Sequence, residues 1–173
     1  MIIALLAAIS MSAMADAPAC TGPASRYVVS RVDADSFDVE ARFDHPVGRL
    51  DVFAFAVPGR QEGQAESIRD LVARDSAGAP TAARYVGEGG WEFEKGRPAA
   101  SVSYRVIADH DAVDWGAGGP GKDEVAARFD GNYFFAGHAF FLVDFDAAPC
   151  PAEVTFNLPN NWNVVSPWPM RGN

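Results

Sequence analysis

Hydrophobic and polar residues alternate with period two along most of the chain. Between Ser36 and Phe43, Phe37, Val39, Ala41 and Phe43 alternate with Ser36, Asp38, Glu40 and Arg42. That spacing predicts a strand with one face in a core and one in water. Arg26 to Asp33 reads as the strand before it, joined through Ala34-Asp35. Leu50 to Val57 is almost continuously apolar, as a strand covered on both faces would be, and Pro58-Gly59 ends it. Glu66 to Asp75 fits a strand or a short helix. The strand is favoured, because "SAGAP" then turns the chain into "TAARYV" and "GWEFEK". Ala100 to Asp109 is a strong strand with Val102, Tyr104 and Val106 on one face. Asn132 to Phe145 predicts two aromatic strands, or one bent at Gly137, and "EVTFNL" and "WNVVSP" close the chain. About nine or ten short strands with hardly any helix predict an all-β fold, an antiparallel sandwich or a saddle-like open sheet.

The first residues add a targeting signal to this picture. Met1 to Ala15 carries no charge, is almost wholly apolar and ends in Ala13-Met14-Ala15, a small-x-small cleavage pattern. Residues 1–15 therefore read as a signal peptide and 16–173 as a single β domain. The rival reading is a membrane anchor, but the apolar run is shorter than the ~20 residues a span needs. In an exported, periplasmic or extracellular protein, a bridge between Cys20 and Cys150 is the simplest use of the only two cysteines; two unpaired thiols are the alternative. The net charge of −9, spread along the chain, argues against nucleic acid and anionic membranes as partners.

No catalytic or metal-ligating constellation emerges. Gly116, Gly121 and Lys122 match most of a phosphate-binding loop, but Asp123 stands where a Ser or Thr would hold magnesium. The sequence reads better there as a surface loop. His45, His110 and His138 lie far apart, none with a ligand partner at zinc spacing. His110 stands among Asp109, Asp111 and Asp114, a composition equally suited to an exposed turn. His138, among aromatics, reads as a half-buried, hydrogen-bonded side chain. No serine sits in a nucleophile elbow, and neither cysteine has a basic neighbour that would lower its pKa.

The order of segments carries more. The chain gives "YVVSRVDADSFDVEARF", a strand closing on "VPGR", "IRDLVARDSAGAP" and a tryptophan in "GWEFE". It then gives "VSYRVIAD", "FDGNYFFAGHAFFLV" and "VTFNLPNNWNVVSPW". From about Tyr27 to Trp168 this resembles the N-terminal domain of the glycyl aminopeptidase family of zinc metallopeptidases, whose members often carry a PDZ domain. Two positions depart from the family pattern. Arg60 follows Pro58-Gly59 where an aromatic is usual, and Asn161 replaces a glycine before the closing tryptophan.

The resemblance implies that the chemistry belongs to a downstream domain, where an HExxH helix holds zinc and its glutamate acts as general base. This chain contains no such motif. It therefore predicts no catalytic residue, metal ligand or cofactor here, with zinc in the catalytic domain only. The implied partner is the catalytic domain of the same full-length chain, and Asn173 reads as a seam before it. On that reading an apolar surface is expected around Val164, Val165, Trp168 and Met170, with irregular chain after Pro167. The alternative is a standalone peptide- or glycan-binding module using exposed aromatics near Trp115 and Trp168.

Overall fold

The described residues form eleven strands and two 3₁₀ turns. The structure, a computed structural model, describes residues 20–54, 56, 60–109, 127–129, 131–147 and 150–171. The signal-peptide reading, Pro58-Gly59, the glycine-rich loop, His110 and Trp115 lie outside these.

β1 (Ser25–Arg31) and β2 (Ser36–Val47) form the predicted hairpin. Asp33 accepts the Asp35 N–H at 2.8 Å in its turn. β2 buries Phe37, Val39 and Ala41, as the alternation requires; Ser36, expected on the wet face, is buried too. β2 pairs with β8 (Ala99–Ile107) until Arg42, where the register shifts before Val47. Pro46 lies in that gap and has no N–H to give a ladder. The chain then leaves the large sheet, and β3 (Arg49–Asp51) joins a three-stranded sheet with β6 (Ala83–Gly87) and β7 (Gly90–Phe93), order β3-β7-β6. β4 (Ile68–Arg74), β5 (Pro80–Thr81) and β11 (Ala152–Asn157) complete a six-stranded sheet, order β11-β1-β2-β8-β4-β5. β9 (Ala127–Phe129) and β10 (Asn132–Phe134) pair separately.

Glu66 to Asp75 resolves in favour of the strand. A 3₁₀ turn (Gly63–Ser67) leads into β4, which bulges between Arg69 and Val72 with Asp70 at φ 54. The bulge hides the period-two signal. "SAGAP" is the predicted turn. The Asp75 carboxylate accepts N–H bonds from Ala77 and Ala79 at 3.0 and 2.9 Å, and Gly78 supplies φ 79. A hydrogen bond from Arg97 holds the Asp75 carboxyl below its usual range.

Several expectations change. The sheet is mixed, not purely antiparallel, because β11 runs parallel to β1. In the run from Leu50 to Val57, strand ends at Asp51 among the described residues. Beyond it the Val52 N–H donates to Gly89 O at 2.9 Å and the Phe53 N–H to His138 O at 2.9 Å. Gly89 has φ 77, and a Cβ there would fall 2.1 Å from Val52 O, so only glycine permits that approach. "WNVVSP" is irregular: the Trp162 N–H closes a turn onto Pro159 O at 2.9 Å, and Pro159 and Pro167 bracket the run without donors.

One core joins the sheets. Tyr27, Val29, Phe37, Val39, Ala41, Val102, Tyr104 and Val106 meet Leu50, Val52, Trp91, Phe93 and the segment Phe140–Leu142. That segment follows the 3₁₀ turn Gly137–Ala139 and is fully enclosed without being a strand. The Phe140 and Phe141 N–H groups turn back onto Gly137 O at 3.2 and 2.9 Å, and the Leu142 backbone takes its partners from side chains. The Tyr27 hydroxyl donates to Leu142 O at 2.9 Å, and the Tyr104 hydroxyl accepts the Leu142 N–H at 3.0 Å. The two tyrosines flank β2, opposite Ala41 and Val39 respectively.

Burial pushes both phenols above their ordinary pKa. A raised folded pKa means that this stability is complete below pH ~10 and falls as pH rises further, because the unfolded chain releases the proton first. Tyr104→Phe leaves the Leu142 N–H unpaired and is expected to cost about 1–3 kcal/mol at pH 7. It should also flatten the loss of stability between pH ~10 and ~12. Urea unfolding at both pH values checks this; an alkaline slope equal to the parent's would refute the role given to Tyr104.

Candidate interaction surface

The C-terminal run leaves β11 at Asn157 and crosses the end of the core. Trp162 anchors it. Its indole stacks on Tyr133 with centroids 5.2 Å apart and planes at 23°, and the Arg31 guanidinium lies 4.6 Å above it. Phe37 meets it edge-on with ring centroids 6.3 Å apart. Arg31 and Tyr133 were not legible as partners of Trp162, since they come from β1 and β10. Trp91, from β7, is 8% exposed and packs in the core.

Beyond Trp162 the chain turns outward. Val164 is partly buried, whereas Val165, Trp168 and Met170 are 96%, 52% and 57% exposed. The Trp168 N–H donates to Ser166 Oγ at 3.0 Å, so the stretch after Pro167 is a bend without a ladder. One edge of the Trp168 ring rests on Gly137. A Cβ at Gly137 would lie 3.1 Å from the indole Cη2, so any larger residue there pushes the ring away. The rest of the indole faces solvent.

The two described histidines, His45 and His138, form no centre. His45 is exposed, with Asp44 at 2.6 Å and Asp144 at 3.7 Å. His138 is exposed, not half-buried: its ring meets Phe53 edge-on at 4.9 Å and its carbonyl, rather than its ring, takes the Phe53 N–H. Among the described residues no group of three or more His, Cys, Asp or Glu side chains could hold a metal ion. These residues therefore do not fit a zinc site. A disulfide joins Cys20 to Cys150, with Cα atoms 5.8 Å apart. No described helix is long and apolar enough to cross a membrane.

The family model for the peptidase M61 N-terminal domain matches residues 26–173. The chain belongs to that family. As an M61 N-terminal domain it also resembles a solved aminopeptidase N family protein from Idiomarina loihiensis. The two superpose with a TM-score of 0.57 at 17% identity, over 79% of this chain and 22% of the other. At that identity the likeness concerns the fold, and this chain spans about a fifth of the longer protein. No curated protein matches the domain.

Proposed function

We propose that this M61 N-terminal domain is the non-catalytic β domain of an exported, glycyl-aminopeptidase-like zinc metallopeptidase. It packs on the catalytic domain of the same full-length chain and shapes access to its cleft. The observation that carries the reading is the family match across residues 26–173. The bridged Cys20 and Cys150 support export, since such bonds persist in oxidising compartments. The exposed Val165, Trp168 and Met170 support a docking surface for the catalytic domain. Zinc belongs to that second domain on this reading.

Two measurements test it. The purified chain is expected not to hydrolyse aminoacyl nitroanilides, with or without added zinc. Chelator-sensitive turnover that follows the protein through purification would overturn the non-catalytic role. A separately produced M61 catalytic domain is expected to bind the chain, and Trp168→Asp to weaken that binding by about tenfold or more, as loss of an aromatic anchor does. Association unchanged by Trp168→Asp would remove the docking surface. Binding of peptide or glycan at Trp168 without any catalytic domain would favour a standalone module instead.

A further inference from the structure

The solvent face of the six-stranded sheet carries a charge arrangement that the fold does not require. Reading across the strands, Glu153 of β11 stands beside Arg26 of β1, Arg26 opposite Arg42 of β2, Arg42 opposite Ser101 of β8, and Ser101 opposite Arg74 of β4. Three arginines thus share one cross-strand row. Like charges placed directly opposite, as Arg26 and Arg42 are, oppose pairing of the strands. Among the described residues, Glu153 pairs with Arg26, at 3.5 Å. Arg74 gives one N–H to Gly78 O at 3.1 Å. Arg42 makes no hydrogen bond or ion pair with any described residue.

Carboxylates are not scarce: the chain has 23 Asp and Glu against 14 Lys and Arg. The same two strands also show the ordinary solution further along, where Arg105 of β8 faces Asp38 of β2 and bonds it at 2.8 Å. In the Arg42 row a serine occupies the central position instead. Its small side chain leaves open space between two guanidinium groups.

That space is a depression of about 210 Å³ lined by Arg42, Arg74, Ser101, Ser103, Glu40 and Val72 together with the Ala41 and Val102 backbone strands. Glu40, Ser103 and Val72 form the next row on the same face. Arg42, Ser101 and Arg74 can present N–H and O–H donors to one carboxylate. The neighbouring Glu40 repels a free multivalent anion, but it accepts from an amide or ammonium group beside that carboxylate. Val72, 46% exposed, offers apolar contact.

We propose that this depression binds a peptide through a carboxylate. The carboxylate sits on the Arg42–Ser101–Arg74 row, and adjoining peptide N–H groups face Glu40. The proposal does not rest on the role proposed above.

The test is isothermal titration calorimetry on the purified chain with two unlabelled peptides. Acetyl-GAEAG-amide carries an internal carboxylate, and acetyl-GAQAG with a free C-terminus carries a terminal one. Acetyl-GAQAG-amide is the uncharged reference, and inorganic phosphate is the competitor. We expect one of the carboxylate peptides to bind, which identifies the source, and the reference not to bind. Arg42→Gln should weaken binding about tenfold or more, while Arg84→Gln, on the three-stranded sheet, should leave it unchanged. Arg42→Gln should keep or raise the melting temperature, because it relieves the repulsion with Arg26. No binding of either peptide, equal binding by Arg42→Gln, or displacement by phosphate at concentrations equal to the peptide's would each overturn the proposal. So would a lowered melting temperature of Arg42→Gln, which would make that arginine a structural residue.

Discussion

Replacing Cys20 and Cys150 together by serine is expected to lower the unfolding free energy by about 5 kcal/mol. The bridge closes a loop with a sequence separation of 130, and the chain-entropy model gives that value for a loop of such size. Its place in the fold adds to the effect. Cys20 lies just before β1 and Cys150 just before β11, where the Ala24 N–H donates to Pro151 O at 2.9 Å and Ser25 opens the register with Ala152. Among the described strands, β11 lies at the edge of the sheet with β1 as its ladder partner. A parallel pair so distant in sequence forms slowly and holds weakly alone, and the bridge keeps its two ends together in the unfolded chain. Against a total of roughly 5–15 kcal/mol for a domain, the loss would be a large share of the stability. Urea unfolding of both proteins gives the number, and hydrogen exchange should show β11 amides released first. A difference below ~1 kcal/mol, far under the loop-closure value, would mean that the bridge does not constrain the unfolded chain. Two free thiols in unreduced, unfolded protein would mean that it does not form.

The elements that could be read from sequence are those set by local pattern. Phe37, Val39 and Ala41 announce β2, and Val102, Tyr104 and Val106 announce β8, because a half-buried strand repeats every two residues. Gly78 and Asp75 announce their turn for reasons of backbone geometry and side-chain hydrogen bonding. What stayed hidden depends on distant partners. Pro46 was visible, but that it redirects β2 into a second sheet follows only from the register with β8. The parallel β1–β11 pair is invisible to any window shorter than the chain. "WNVVSP" has the composition of a strand and lacks a strand to pair with. The aromatic run from Asn132 to Phe145 has the composition of strands, yet its buried stretch after Gly137 is held by hydroxyls from Tyr27 and Tyr104, 115 and 38 residues from Leu142.

The candidate surface divides the same way. Exposure of Val165, Trp168 and Met170 follows from a proline-rich tail that cannot extend a sheet. The perch of Trp168 on Gly137 needed the fold. The Arg42 row shows the contrast most sharply. Alternation alone puts Arg42 on the wet side of β2, but only the strand register places it between Arg26 and Ser101 and brings Arg74 to the other side.

A pair of substitutions separates the core from the exposed tail. Phe140→Ala is expected to cost about 3–5 kcal/mol, the range for removing a large buried aromatic. Phe140 is 0% exposed. Its ring stacks on Phe135 with centroids 3.9 Å apart and meets Phe37 and Phe141 edge-on at 5.8 and 5.2 Å. Around it, Val39, Tyr104 and Leu142 are fixed by the sheet and by the Tyr104–Leu142 bond, so the cavity cannot collapse freely. Trp168→Ala removes a larger ring from a site that is 52% exposed and touches Gly137 along one edge. Its cost should stay within about 1 kcal/mol, as for surface positions that leave no cavity. Urea midpoints of the two variants and the parent decide the matter. Equal losses would show that the tail is part of the core and would withdraw Trp168 from the docking surface. A large loss for Phe140 alone would leave Trp168 free to serve a partner.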